Sequence, residues 1–441
     1  MFELSNLYYL YIIPVLGFMI LIHEFGHYAV AKWLGVRVEQ FAIGFGKRLI
    51  GFRRGDTDYR INAIPLGGYV KMSGENPMDE RSDDPREFMN HSRWHRFLIA
   101  IAGPTMNVLL AIGLLTVIFM VHYEYPAFYD DPPVIGWVVK NTAADKAGIQ
   151  IGDRITRIGD VQNPTWEQIE QEEEFSPGQP LLVDVQRNGQ TLEKTVVPVP
   201  TGSDQIGIAG WNAKEKTDPV TISNVQEKMP AEKAGLKEGD KILALDGKPV
   251  PALGAMIESL EVTKDKPITL TVLRNNEQKT LTLQPVLLEK RYRIGIGATE
   301  IKVKTLPFRA AFSKSMDENQ KNALLILRLV KKMVQHKMPL KSIEGPIRIG
   351  QVAGEAARAK GWTPLMGLTA AISLNLGIFN LLPIPILDGG VILFLLIEGL
   401  MRRDISMNIK ERVYQAAFVF LVLFAVMVIF NDLMKISGAG G

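Results

Sequence analysis

Leu7 to Ile22 is an apolar run that leads without a break into His23-Glu24-Phe25-Gly26-His27 and on into Tyr28-Ala29-Val30-Ala31. Three ionisable side chains at the end of such a run set the frame for the rest of the chain. No basic residue precedes the run and no small-residue cleavage site follows it, so it reads as a span and not as a removable signal. Phe97–Val121 extends 25 residues without a charge, Leu365–Leu387 extends 23 and Val413–Phe430 extends 18. Each meets the length needed to cross about 30 Å of hydrocarbon.

Across 441 residues, 50 Lys+Arg stand against 47 Asp+Glu, a net charge of +3. Nucleic acid is therefore not the expected partner, since binding it takes a concentrated basic surface. Orientation follows from where the bases fall. Lys32 to Arg96 carries 12 Lys and Arg, and Arg402, Arg403, Lys410 and Arg412 follow the third apolar run. The positive-inside rule puts both stretches in the cytoplasm, and with four spans the termini and residues 122–364 lie outside. With no cysteine in the chain, disulfides and thiolate metal sites are excluded. Any metal must be held by His and carboxylates.

The external segment contains a repeat. Ala144-Asp145-Lys146-Ala147-Gly148 to Gly152-Asp153-Arg154-Ile155 matches Ala231-Glu232-Lys233-Ala234-Gly235 to Gly239-Asp240-Lys241-Ile242 at an offset of 87. The same offset joins Arg187-Asn188 to Arg274-Asn275. Two tandem copies of one α/β domain follow, too few and too large for a solenoid. Between them and the third apolar run, Phe308 to Gln335 has apolar residues at helical spacing. It reads as an amphipathic helix seated on the membrane or against the second copy.

His23 and His27 stand one helical turn apart, so both imidazoles face one side, with Glu24 between them. This is the H-E-x-x-H spacing of zinc peptidases, in which the histidines are ligands and the glutamate is the general base. A catalytic zinc site needs a third protein ligand. Position 33, where one class of soluble enzyme places it, is Trp33. The candidate is Asp388, in Asn380-Leu381-Leu382-Pro383-Ile384-Pro385-Ile386-Leu387-Asp388-Gly389-Gly390. Pro383 and Pro385 break the helix. Irregular backbone at membrane depth is tolerated only inside protein or along a wet cavity. His91 and His95 share the i, i+4 spacing but have no glutamate beside them, and with His122 and His336 they are assigned no metal. Val38–Phe45 and Tyr59–Ile64 read as a β-hairpin whose edge could accept an extended peptide.

His-Glu-x-x-His in the first span with Asn-x-x-Pro-x-Pro-x-Leu-Asp-Gly in the third resembles the site-2 intramembrane metalloproteases. Gly44-Phe45-Gly46, Pro65 to Met72, Gly103-Pro104-x-x-Asn107 and the two repeats are similar to the bacterial branch of that family that regulates sigma-E. The repeats themselves resemble circularly permuted PDZ domains. The resemblance implies a polytopic α-helical membrane protein of four transmembrane helices, with a membrane-associated β-hairpin and two PDZ-like domains. Its expected segments are 1–32, 33–95 (hairpin loop), 96–122, 131–213 and 218–300 (PDZ-like), 305–362 (amphipathic linker), 363–398 (broken helix) and 411–433.

The resemblance also implies one Zn2+ held by His23, His27 and Asp388, with Glu24 catalytic. Asn380, Pro383, Pro385 and Tyr69 would meet the substrate, and Gly207-Ile208 and Gly295-Ile296 would be turns that bind a peptide carboxylate. The activity implied is cleavage of a transmembrane segment, such as that of an anti-sigma factor, after a first cut by another protease. The site would be the bacterial inner membrane, with the PDZ pair gating access. On the residues alone two other readings stay open: a PDZ-bearing membrane scaffold without catalysis, and a membrane-anchored zinc protease whose site lies in water.

Overall fold

Ile12–Trp33 forms the first helix, α1, apolar along its length and free of proline after its first turn. The computed structural model describes residues 12–75, 84–201, 206–214, 220–226, 228–288, 291–335, 345–359 and 361–436. His336 and the terminal 437–441 lie outside the described residues. The chain divides into two units, Met1–Tyr123 with Lys304–Gly441, and Glu124–Val303.

In the first unit α1 is followed by strands β1 (Val38–Arg54) and β2 (Thr57–Met72), longer than the hairpin expected. Each strand bends, so β1 is paired on both sides. Phe41 faces Tyr59 on one side and Val70 on the other, while the far half of β1 pairs Phe52 with Tyr59. The result is a small antiparallel sheet in which residues 68–72 form the edge nearest α1. At its far end Leu49, Ile50 and Phe52 are exposed.

Helix α2 (Arg93–Val121) starts at Ser92, whose side chain accepts from the His95 amide, and carries Pro104 within it. Then come α3 (Phe308–Val334), α4 (Pro346–Arg358), α5 (Thr363–Asn380), α6 (Asp388–Met401) and α7 (Met407–Ile436). Among the described residues, three helices are long and apolar enough to cross a membrane: α1, α2 and residues 408–434 of α7. The run expected as the third span is split between α5 and α6, with the break at Leu381–Leu387.

Helix α3 has a neighbour that its spacing did not name. It packs along α2 through a stripe of small and polar residues: Ala311, Ser315 and Asn319 are buried, and Ser315 Oγ donates to the Ile112 carbonyl at 2.7 Å. Phe308, Phe312 and Leu324 stay exposed. Periodicity revealed the amphipathic helix but not its neighbour. Two buried charges tie the remaining helices together. Asp432 of α7 accepts from the amides of Gly345, Ile347 and Arg348, capping α4. Glu398 of α6 is fully buried and pairs with Lys410 Nζ at 2.6 Å.

The second unit repeats one design. A four-stranded sheet (order 161–162, 154–158, 181–187, 190–196) recurs as a five-stranded one built on 220–221, 241–245, 268–274 and 277–283. Each copy has its own core, Ile155, Ile169, Val183 and Val185 in the first and Ile242, Met256, Leu270 and Val272 in the second. The matched Asp and Arg residues explain part of the repeat. Arg187 Nε donates to Asp153 at 2.6 Å and its Nη2 to the Gly148 carbonyl; Arg274 does the same to Asp240 at 2.6 Å and to Gly235. Asp153 and Asp240 are each 1% exposed, so each depends on its arginine. Arg274→Ala should leave a buried carboxylate without its cation and destabilise the second copy by about 3–5 kcal/mol. Hydrogen exchange should rise across 231–283 and stay unchanged across 135–196.

Candidate metal centre

One turn of α1 presents His23 and His27 on the same side, both less than 10% exposed. The chain returns to them at the other end of the sequence. Proline interrupts the α-helical ladder across Leu381–Leu387, and Ile386 is held at φ 88°, a conformation a β-branched side chain disfavours by about 1–3 kcal/mol. This turn ends at Asp388, the first residue of α6, where unpaired amides favour a carboxylate. A Cβ at position 389 would lie 2.1 Å from the Leu382 carbonyl and one at 390 would lie 2.4 Å from that of Ile384, so only glycine lets the turn close.

The three side chains meet. His23 Nε2 is 3.1 Å from Asp388 Oδ2, His27 Nε2 is 3.4 Å from Asp388 Oδ1, and the two Nε2 atoms are 3.2 Å apart. Ligands 2.0–2.1 Å from a tetrahedral zinc stand about 3.3 Å from one another, so the triangle has the size the ion requires. Among the described residues this is the only cluster of three such side chains within ligand reach of one another.

The second nitrogens fit as well. His27 Nδ1 lies 2.8 Å from the Ile99 carbonyl, which accepts the Nδ1 proton and leaves the Nε2 lone pair free. His23 Nδ1 lies 3.2 Å from the amide of Asn107, a residue with no exposed surface whose Oδ1 has no partner. Turned over, that amide gives its orphaned oxygen a proton to accept, and His23 takes the same tautomer as His27. Helix α2 comes close enough to do this because position 103 is glycine. A Cβ there would lie 2.3 Å from His27 Nε2 and 2.8 Å from His23 Nε2.

Glu24 Oε2 accepts from the Val70 amide at 3.0 Å, which ties the edge of the sheet to the helix bearing the histidines. Asn380 Nδ2 is 3.4 Å from His23 Nε2. A cavity of about 470 Å³ is bounded by His23, Glu24, His27, Tyr69, Asn380 and Asp388, and runs on to Arg96, Glu398 and Lys410. Tyr69 Oη donates to Gln40 Oε1 at 3.0 Å and its ring stacks on Phe45. Pro383 and Pro385 lie in the turn and do not line this cavity. Asn107 and the Ile99 carbonyl received no role from the residue pattern; Gly-Pro-x-x-Asn pointed to Asn107, and nothing pointed to Ile99. His91 and His95 face each other, Nδ1 to Nδ1 at 3.2 Å, and gather no third ligand among the described residues.

In the second unit Gly207 and Ile208 belong to strand 206–208, paired with 199–201, and Ile296 to strand 296–297, paired with 224–225. A cleft of about 350 Å³ beside Gly207 and Ile208 is lined by Trp166, Glu170, Glu173 and Trp211. Glu173 accepts from the Ala209 amide at 2.5 Å and from Trp211 Nε1 at 2.7 Å. Burial nonetheless raises its carboxyl from 4.5 to about 7. The folded copy therefore holds a proton that the unfolded chain releases. This contribution to stability is full below pH 4.5 and is lost as pH rises through about 7. Opening of 206–213, read by hydrogen exchange, should become easier by up to about 3 kcal/mol between pH 4.5 and 8, and Glu173→Gln should flatten the dependence.

Comparison with known proteins gives a consistent result. A model of peptidase family M50 matches residues 11–424. A "Putative zinc metalloprotease" of Vibrio cholerae is 32% identical, over 96% of this chain and 98% of its own. The "Regulator of sigma-E protease RseP" of Escherichia coli K12 is also 32% identical, over the same shares. A "Putative zinc metalloprotease" of Treponema pallidum is 30% identical over 95% of this chain and 97% of its own.

Proposed function

Given that the chain belongs to peptidase family M50 and is a zinc metalloprotease, we propose that it hydrolyses peptide bonds within or beside transmembrane segments, in a bacterial inner membrane. The observation that carries this reading is the triangle of His23, His27 and Asp388, of zinc's dimensions, with both histidines on a helix apolar enough to span a bilayer. We assign these three as ligands of one zinc ion and Glu24 as the general base. Zinc held there supplies Lewis acidity, which lowers the pKa of water from 15.7 towards about 7. Val70 holds Oε2 of Glu24, and Oε1 is left to take a proton from the attacking water and return it to the leaving nitrogen. Asn380 is assigned to the substrate backbone near the cut. Tyr69, Pro383 and Pro385 are proposed to bound its path.

A peptide bond inside a helix is hydrogen-bonded and shielded, so the substrate must be unwound to react. The edge at residues 68–72 stands next to Glu24 and suits an extended segment added as another strand. The four-span arrangement counts α5 and α6 together as one broken span, with the second unit outside. There the two copies, read as PDZ-like, act as a gate that admits substrates already trimmed by a first protease, such as an anti-sigma factor. Gly207-Ile208 and Gly295-Ile296 are the proposed peptide turns. In the first copy the glutamates beside the turn oppose an incoming carboxylate.

The test is cleavage of a synthetic single-span peptide by the purified chain in liposomes with zinc. Product masses should place the cut inside the apolar segment. Cleavage confined to water-soluble peptides would instead favour an anchored protease working in water.

A further inference from the structure

Carboxylates hold two amides of the edge strand 68–72. Val70 donates to Glu24 Oε2 at 3.0 Å and Met72 donates to Glu75 Oε2 at 3.1 Å. The catalytic role accounts for Glu24 and leaves Glu75 without a task. Its position is set by a fixed turn. Ser73 donates to the Arg37 carbonyl at 2.8 Å and accepts from Phe88 at 2.8 Å, while Arg37 Nη2 reaches Ser73 Oγ at 2.6 Å. Gly74, at φ 64° with the Glu87 side chain 2.8 Å from where a Cβ would sit, then folds Glu75 back onto the strand. The carboxylate borders the same cavity as the histidines and Asp388.

We propose that Glu75 is a resting occupant of the substrate's place on this edge, holding the Met72 amide until an extended substrate displaces it. The inference rests on the strand-addition reading above. A strand pairing with residues 68–72 must present a carbonyl to the Met72 amide, while Val70 stays with Glu24, and a neutral carbonyl competes poorly with a carboxylate for an N–H. Glu75 therefore disfavours weakly unwound segments and touches none of the reacting atoms.

Removing the competitor should tighten substrate capture. Glu75→Ala should lower KM about three- to tenfold, the scale of the difference between a charge-assisted hydrogen bond and the neutral one that replaces it, with kcat and zinc content little changed. Glu75→Gln, which keeps the shape and loses the charge, should fall between Ala and the parent. A peptide substrate N-methylated one residue at a time separates this from the reading beneath it. Loss of cleavage at alternating positions beside the cut supports strand addition, while uniform cleavage overturns strand addition and the role of Glu75 together. If the alternation is seen and both variants leave KM unchanged or raise it, the role of Glu75 alone falls.

Discussion

Glu24→Gln should abolish turnover, by about 10³-fold or more, while one zinc per chain stays bound. General acid–base catalysis is worth about 10²–10⁴ in rate. Here one carboxylate is assigned both proton transfers, so the upper part of that range is expected. The structure makes the substitution clean. The Gln carbonyl can still accept from Val70, the contact that joins the sheet edge to α1 at 3.0 Å. The triangle of His23, His27 and Asp388 does not include Glu24. Metal analysis of the purified variant beside peptide cleavage checks both halves. Turnover within tenfold of the parent would remove Glu24 from the mechanism. Loss of zinc would show that its role is structural. In cells, membrane-embedded stubs of single-span proteins should accumulate in the variant, which also gives a route to the substrates.

What could be read from the sequence follows the range of the interactions involved. His23 and His27 were legible because helical spacing alone puts them on one face, and Asp388 because two prolines and two glycines around a carboxylate leave no other local reading. The repeat was legible because both copies keep the same buried Asp–Arg clamp. The partners that turn three residues into a site were not. Asn107 is 84 residues from His23 and Ile99 is 72 from His27, and both contacts depend on how closely two helices approach. The hairpin was seen as two strands because alternation marks strands singly; that β1 is paired on both sides depends on bends at Gly44-Phe45-Gly46, which periodicity does not register. Likewise the apolar spacing of α3 gave a helix, and only its buried Ser315 and Asn319 reveal α2 as its neighbour.

Gly103→Ala tests whether that approach builds the site. One methyl group at position 103 would lie 2.3 Å from His27 Nε2 and 2.8 Å from His23 Nε2, atoms assigned to the ion itself. Carbon and nitrogen in contact need well over 3 Å, so either α2 retreats by about 1 Å or the imidazoles turn away. Retreat would draw the Ile99 carbonyl and Asn107 off the Nδ1 atoms, and rotation would open the triangle. Either way the ligand geometry is lost, and loss of the outer partners alone costs about 10–100-fold in metal affinity. Zinc affinity should fall at least 100-fold, with cleavage lost in proportion. Gly113, three turns along the same helix, has nothing within 4 Å of its Cβ position, so Gly113→Ala carries the same change in helix propensity without the collision. The contrast between the two is the measurement: equal zinc titrations for both variants would mean that α2 does not shape the centre, and that the imidazoles take their orientation from α1 alone.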